Sequence, residues 1–198
     1  MAKLTLLEDL AEQISDSTKI VSEHLKVNSL PQPSFELDAP IQWPELPPDV
    51  YEARSTLREA SKKLHDLATG HQNLLWLFCS SWTNFAALQW ISHYKVADAI
   101  PVDKFVSYAE IAKTTNLDES LLRRFLRLLM TNDVFCEPRP GVVAHTAQST
   151  MLVSTHPMYY YVNWNTDDVG RWGSYVMQAW EKWGAEAGSV LRGPDGPD

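Results

Sequence analysis

The stretch from Asp98 to Leu152, DAIPVDKFVSYAEIAKTTNLDESLLRRFLRLLMTNDVFCEPRPGVVAHTAQSTML, decides how the chain is read. Phe105 and Val106 suit a short strand. Ser107 and Glu110 stand at the S-x-x-E spacing of a reciprocal helix cap, which predicts a helix through Ala109, Ile111 and Ala112. Thr115-Asn116 makes a turn, and Asp118 caps a second helix running to about Met130. Leu121, Leu122, Phe125, Leu126, Leu128 and Leu129 are too many for a narrow stripe and predict burial on two sides. Asn132-Asp133 ends that helix. Val134-Phe135-Cys136-Glu137 and Val142-Val143-Ala144-His145 then pair as strands around a Pro138-Arg139-Pro140-Gly141 tip, and Thr146 with Ser149 opens another turn. Strand, two helices and paired strands in this order make a winged-helix pattern, which serves either to bind DNA or to hold two chains together.

Charge decides between those uses. The net charge is −8, whereas duplex binding draws on a cationic surface. Arg123, Arg124 and Arg127 do occupy the recognition-helix position, but Arg139 stands alone on the wing tip. An ion-paired or solvated arginine face is therefore the better reading, and no nucleic-acid partner is expected. The hydrophobic fraction of 44% is ample for a core, and an aromatic content of 11% argues against disorder. Cys79 and Cys136 form neither a metal spacing nor a disulfide framework, which favours a reducing, cytoplasmic setting. The first residues, MAKLTLLEDLAEQ, carry acids where a signal peptide would carry an apolar run. The apolar stretch Leu74 to Ile91 is interrupted by Ser80, Ser81, Thr83, Asn84 and Gln89, so it reads as a buried helical hairpin and no membrane partner is expected.

Four segments follow from the patterning. Residues 1–27 carry an N-terminal helix from about residue 4, with Thr5 and Glu8 at capping-box spacing. Its stripe of Leu7, Leu10, Ile14, Val21 and Leu25, weakened at Ser17, needs a partner surface, either in its own chain or on a second subunit. Leu7, Leu10, Ile14 and Val21 are the candidate dimer-interface residues. Residues 28–48 are a linker holding six of the twelve prolines, extended because proline fixes φ, with Phe35 and Trp43 expected to pin it down. Residues 49–187 form the main helical domain. In it Asp49 and Glu52 start a helix whose buried face is Val50, Ala53, Leu57, Ala60, Leu64 and Leu67, stopped by Gly70. The hairpin from about Asn73 to Ala99 carries Trp76, Phe78, Trp82, Phe85, Trp90 and Tyr94, expected as the densest core. Beyond the winged block come two aromatic helices, Pro157 to about Asn165 and Val169 to Ala187. Residues 188–198 have the composition of a flexible tail.

Chemistry-bearing residues are sparse. His145 and His156 flank the end of the wing and could serve a substrate as base or donor. His24, His65, His71 and His93 show no converging carboxylate or cysteine, so no metal is expected. The aromatic cluster of Tyr159, Tyr160, Tyr161, Trp164, Trp172, Met177, Trp180 and Trp183 suits both core packing and a pocket for a flat ligand. No Ser-His-Asp or Cys-His arrangement is legible, and the glycines never form a strand-G-x-G-helix loop, so no cofactor site is expected on this chain.

The order of parts carries a resemblance. VADAIP, the E-I-A…L-x-R-x-L-R-L-L run from Glu110 to Leu129, and H-T-x-x-S at His145, Thr146 and Ser149 resemble the N-terminal dimerisation domain of fungal S-adenosylmethionine-dependent O-methyltransferases. These are plant-type small-molecule enzymes of secondary-metabolite pathways. The resemblance implies a mainly α, helical dimerisation domain containing a winged-helix unit with a small β-wing. It also implies a homodimer, or a heterodimer with a full-length methyltransferase relative. In the family a doubly wound domain follows and holds the methyl donor and catalytic base, and this chain is expected to stop where that domain would begin. The chain would then supply dimer contacts and one wall of the substrate pocket, with Tyr160, Trp164, Met177, Trp180, His145 and His156 as pocket candidates and no catalytic residue of its own. The alternatives are a stand-alone auxiliary or ligand-binding protein, a non-methylating cyclase-like member acting on an aromatic or polyketide-like intermediate, and, weakest, a winged-helix DNA-binding regulator.

Overall fold

The computed structural model describes residues 4–184. The expected tail at 188–198, and the last residues of the helix expected to reach Ala187, lie outside the described residues. The chain divides into two compact units, Met1–Ser81 and Trp82–Asp198, and the division falls inside the span 49–187 read above as one domain.

The first unit is built on two long helices, α1 (Leu6–Val27) and α2 (Pro48–Thr69). The capping box of α1 forms as the spacing predicts. The Glu8 amide donates to the Thr5 hydroxyl, and the Glu8 carboxylate accepts from the Thr5 amide at 2.8 Å. The apolar stripe packs within the chain: Val21 and Leu25 of α1 meet Val50 and Ala53 of α2, with Leu30 and Leu46 of the linker alongside. Ser17, the weak point of the stripe, is buried with them. α2 begins differently from expectation. Its cap position is Pro47 and Pro48 is the first helical residue, so Asp49 makes no side-chain cap. A proline fits there because the first helical amides have no partner in the helix and the ring already holds a helical φ. The buried face of α2 narrows to Val50, Ala53 and Ala60, with Leu67 exposed. In the linker, Trp43 is held beneath the Arg54 guanidinium at 4.3 Å, whereas Phe35 is 69% exposed and pins nothing.

Gly70, at φ +80°, ends α2 and turns the chain into α3 (His71–Ser80). Here the structure overturns the expected buried hairpin. α3 has no buried residue; Trp76 is 70% and Phe78 79% exposed. The core of the second unit is built instead from the small and branched residues of α4 (Trp82–His93), Ala87 and Ile91, together with Val96, Ala97 and Ile100 around the 3-10 turn Val96–Ala99. Among the hairpin aromatics, Trp90 is the one packed on this core, 4.8 Å from the Phe125 ring. Helices meet where short side chains let their backbones approach, and the larger rings are left outside.

The winged block closes over that core. β1 (Val106–Ser107) runs into α5 (Tyr108–Thr115) through the Ser107–Glu110 capping box. Asn116 ends α5 in the left-handed region, and Asp118 caps α6 (Glu119–Met130) by accepting from the Leu121 amide at 2.8 Å. α6 buries one face, Leu122, Leu126 and Leu129, while Leu121 is exposed, so the expected two-sided burial is corrected. β2 (Cys136–Arg139) and β3 (Val142–Ala144) form the wing, and β1 adds on the other side of β3, giving the antiparallel order β1-β3-β2. Val134 and Phe135 are not in the strand as expected. Asp133 and Phe135 both take positive φ, an unusual cost for a bulky side chain, and this turn drives the fully buried Phe135 into the core. Pro138 is accommodated because β2 is an edge strand.

The last elements are α7 (Ala147–Thr150), α8 (Pro157–Asn163), a π-helical stretch Trp164–Val169, α9 (Gly170–Ser174) and α10 (Val176–Trp183). The two expected aromatic helices are thus divided differently, with a wide turn where the first was to end. Gln89 of α4 holds that turn, donating to the Thr166 carbonyl at 3.1 Å and to Asp167 at 2.9 Å. No described helix is long and apolar enough to cross a membrane.

Candidate functional site

Two of the three arginines at the recognition-helix position are paired with carboxylates, Arg127 with the wing and Arg123 within α6. Arg127 makes two 2.9 Å bonds to Glu137 on β2, and Arg123 pairs with Glu119 at 2.7 Å. Both guanidinium groups lie against the ring of Tyr108, at 4.6 Å for Arg123 and 5.9 Å for Arg127. Glu137 also accepts from the Gly141 amide at 2.7 Å and the Tyr108 hydroxyl at 3.1 Å. The Arg127 guanidinium, then the Gly141 amide, hold its carboxyl down at about 2. Burial pushes the Tyr108 phenol up. This cluster joins the start of α5, α6, β2 and the wing tip. It was not anticipated as a unit, because Tyr108, Arg127 and Glu137 are brought together only by folding.

His145 lies in a second buried cluster. Its Nε2 faces the Ile100 carbonyl at 3.0 Å and the Ala97 carbonyl at 3.2 Å, so this nitrogen carries the proton; Nδ1 meets the Ser149 hydroxyl at 2.8 Å. The Thr146 hydroxyl donates to the Asp133 carbonyl at 2.8 Å. The H-T-x-x-S residues therefore tie the 3-10 turn, the end of α6 and the start of α7 to one another. Burial pushes the His145 ring below its ordinary 6.5 despite these contacts. Both ring nitrogens are used by the fold. His156 caps α8, accepting from the Met158 amide at 3.1 Å. The two histidines are not brought to one place facing a common ligand.

The aromatic candidates share the last helices but stand outward. Tyr160 and Met177 are each 67% exposed, and Trp164 and Trp180 are also exposed. Trp164 makes an edge contact with Trp172 at 6.3 Å and a tilted one with Tyr161 at 6.2 Å. From the same cluster Tyr159 turns inward, its hydroxyl donating to the Ser92 carbonyl at 3.4 Å. Among the described residues these side chains are exposed rather than enclosed. Of the candidate interface residues, Leu10 and Val21 are buried within the chain, Ile14 is half-buried and Leu7 is exposed. Leu75, Trp76, Leu77 and Phe78, consecutive on α3, carry a large apolar exposure the sequence reading had placed in the core. Among the described residues no group of three or more His, Cys, Asp or Glu is set to hold a metal ion.

Comparison with known proteins places these features in a family. The O-methyltransferase dimerisation domain matches residues 76–155, from the exposed face of α3 through the wing and α7. The chain is 35% identical over 181 residues to the O-methyltransferase aurJ of Gibberella zeae, spanning 90% of this chain and 41% of that protein. It is 33% identical over 170 residues to a chlorophenol O-methyltransferase of Trichoderma longibrachiatum, spanning 86% and 36% respectively. The chain thus spans about two fifths of the length of the relatives it matches. The crystal structure of OxaC in complex with sinefungin and meleagrin superposes with a TM-score of 0.64 over 87% of this chain and 39% of that one, at 14% identity, a likeness of fold alone. Residues 76–155 thus carry the O-methyltransferase dimerisation domain.

Proposed function

We propose that the chain supplies the dimerisation and substrate-cap part of an O-methyltransferase that transfers methyl from S-adenosylmethionine to a phenolic or enolic oxygen. The observation that carries this reading is α3. A ten-residue helix with no buried side chain is marginal in water on its own, and its exposed Leu75, Trp76, Leu77 and Phe78 call for a covering surface. The dimerisation domain begins within it. A second copy of the chain, or a full-length methyltransferase relative, would cover this face, with Leu7 and Ile14 as additional interface residues.

The cap role rests on the outward aromatics Tyr160, Trp164, Met177 and Trp180. Rings with one apolar face and a polar tip suit a flat aromatic acceptor once another domain closes over them. A phenolic acceptor agrees with the name of the Trichoderma relative. The described residues themselves do not fit S-adenosylmethionine. The sheet is a small antiparallel one, and where β1 feeds a helix the capping side chains of Ser107 and Glu110, rather than a glycine loop, fill the turn. The methyl donor would therefore be held by residues outside those described, and this part would position the acceptor.

Size-exclusion chromatography with light scattering tests the reading directly. A dimer mass at micromolar concentration is expected. A monomer that persists as concentration rises would overturn it.

A further inference from the structure

The seam between α4 and the π-helical stretch holds polar groups that dimerisation does not use. Gln89 gives both hydrogens of its amide to that stretch, one to the Thr166 carbonyl at 3.1 Å and one to Asp167 Oδ1 at 2.9 Å. The Gln89 Oε1 and the second Asp167 oxygen accept no hydrogen bond from the described residues. Both side chains are half-buried. No described lysine, arginine or histidine pairs with Asp167. Pinning the turn needs the Thr166 carbonyl alone. A carboxylate drawn partly out of water against one neutral amide loses solvation that this single bond does not restore.

Three further observations mark the same seam. Phe85 stands one turn before Gln89 on α4 and is 38% exposed. Its ring lies directly on the backbone of Gly170, where a Cβ would overlap it, so glycine is what lets α9 approach the ring. The turn itself is π-helical, a geometry that is rare and concentrates at functional sites. Ser92 follows on the same face of α4, and its fully buried hydroxyl has no partner among the described residues. Tyr159 reaches only the Ser92 carbonyl, at 3.4 Å. The α4 side of the seam therefore has more hydrogen-bonding capacity than the fold uses.

The chemistry of these groups selects the ligand. Two unused acceptors, with no free donor between them, call for a ligand that donates twice. The half-exposed ring beside them calls for one that is flat. A metal ion does not fit, because no group of three ligating side chains gathers among the described residues. We infer that Phe85, Gln89 and Asp167 form a subsite for a dihydroxylated aromatic ring, which lies against Phe85 and donates one hydroxyl to Gln89 Oε1 and the other to Asp167. A hydroxyl given to a carboxylate makes the stronger of the two bonds. The inference rests on the cap reading, since it names the class of acceptor that the cap would hold.

The test is a calorimetric titration of the full chain with 2,3-dihydroxynaphthalene, with its dimethyl ether as the control. Saturable binding of the diol is expected, with the ether bound at least about tenfold more weakly. Asp167→Asn keeps an oxygen for the Gln89 amide and turns the other acceptor into a donor. It should weaken the diol about tenfold and leave the ether and the near-ultraviolet circular dichroism unchanged. Phe85→Leu leaves both acceptors and should weaken diol and ether alike. Absence of saturable binding, equal binding of diol and ether, undiminished diol binding by Asp167→Asn, or affinities unmoved by Phe85→Leu would overturn the inference. The chromatographic mass is read on the same samples. A dimer that binds no diol sinks the subsite alone, and a monomer that binds it sinks the dimer reading alone.

Discussion

Glu137 is the residue on which the wing turns. It receives Arg127, the Gly141 amide and the Tyr108 hydroxyl at once, and each contact favours its ionised form. Its carboxyl is held at about 2, below the ordinary 4.5, so the unfolded chain takes up a proton before the folded one does. That stability is complete above pH 4.5 and is lost as pH falls toward 2. Glu137→Gln should cost about 2 kcal/mol at neutral pH and flatten the dependence of the urea midpoint on pH in that window. His145 behaves oppositely in chemistry but alike in sign. Burial disfavours its cation, so stability is held above pH 6.5 and declines below it as the unfolded ring protonates first. His145→Ala should lower the unfolding free energy at neutral pH by about 3 kcal/mol and remove the loss that sets in as pH falls below 6.5.

At the scale of elements, the caps were legible because they are local. Thr5–Glu8, Ser107–Glu110 and Asp118 each satisfy amides of their own first turn, and each forms as the spacing predicts. Ser107→Ala should destabilise α5 by about 1 kcal/mol, read as faster amide exchange in that helix. The wide turn of Trp164–Val169 was not legible, because what holds it is the Gln89 side chain from an element 77 residues away in sequence. Gln89→Leu should remove the bonds to the Thr166 carbonyl and Asp167, cost about 1 kcal/mol and alter the near-ultraviolet circular dichroism of the Trp164–Trp172 pair. A near-ultraviolet spectrum unchanged by that substitution would show that Gln89 does not hold the turn.

For the whole molecule, the decisive fact is where the large apolar side chains go. Composition supplies enough of them for a core, yet the core of the second unit is made of alanine, valine, isoleucine and leucine with Tyr108 and Phe135, while Trp76, Phe78 and Trp82 remain outside. If the α3 face is the dimer contact, Trp76→Asp and Phe78→Asp together should convert the dimer to monomer. The melting profile of the second unit should stay cooperative, because neither side chain belongs to its core. A variant that unfolds outright, or that remains dimeric, would place the contact elsewhere.

The sequence alone determined the winged order of elements, the caps of α1, α5 and α6, the turns at Asn116 and Gly141, and the family resemblance, because these depend on residues within a few positions of one another. Only the tertiary structure decided which aromatic residues face outward, that His145 belongs to a buried brace, and that Tyr108, Arg123, Arg127 and Glu137 form one cluster. Hydropathy marks a side chain that seeks cover but does not say whether its own chain or another surface provides it. On α3 the described chain leaves that cover unsupplied.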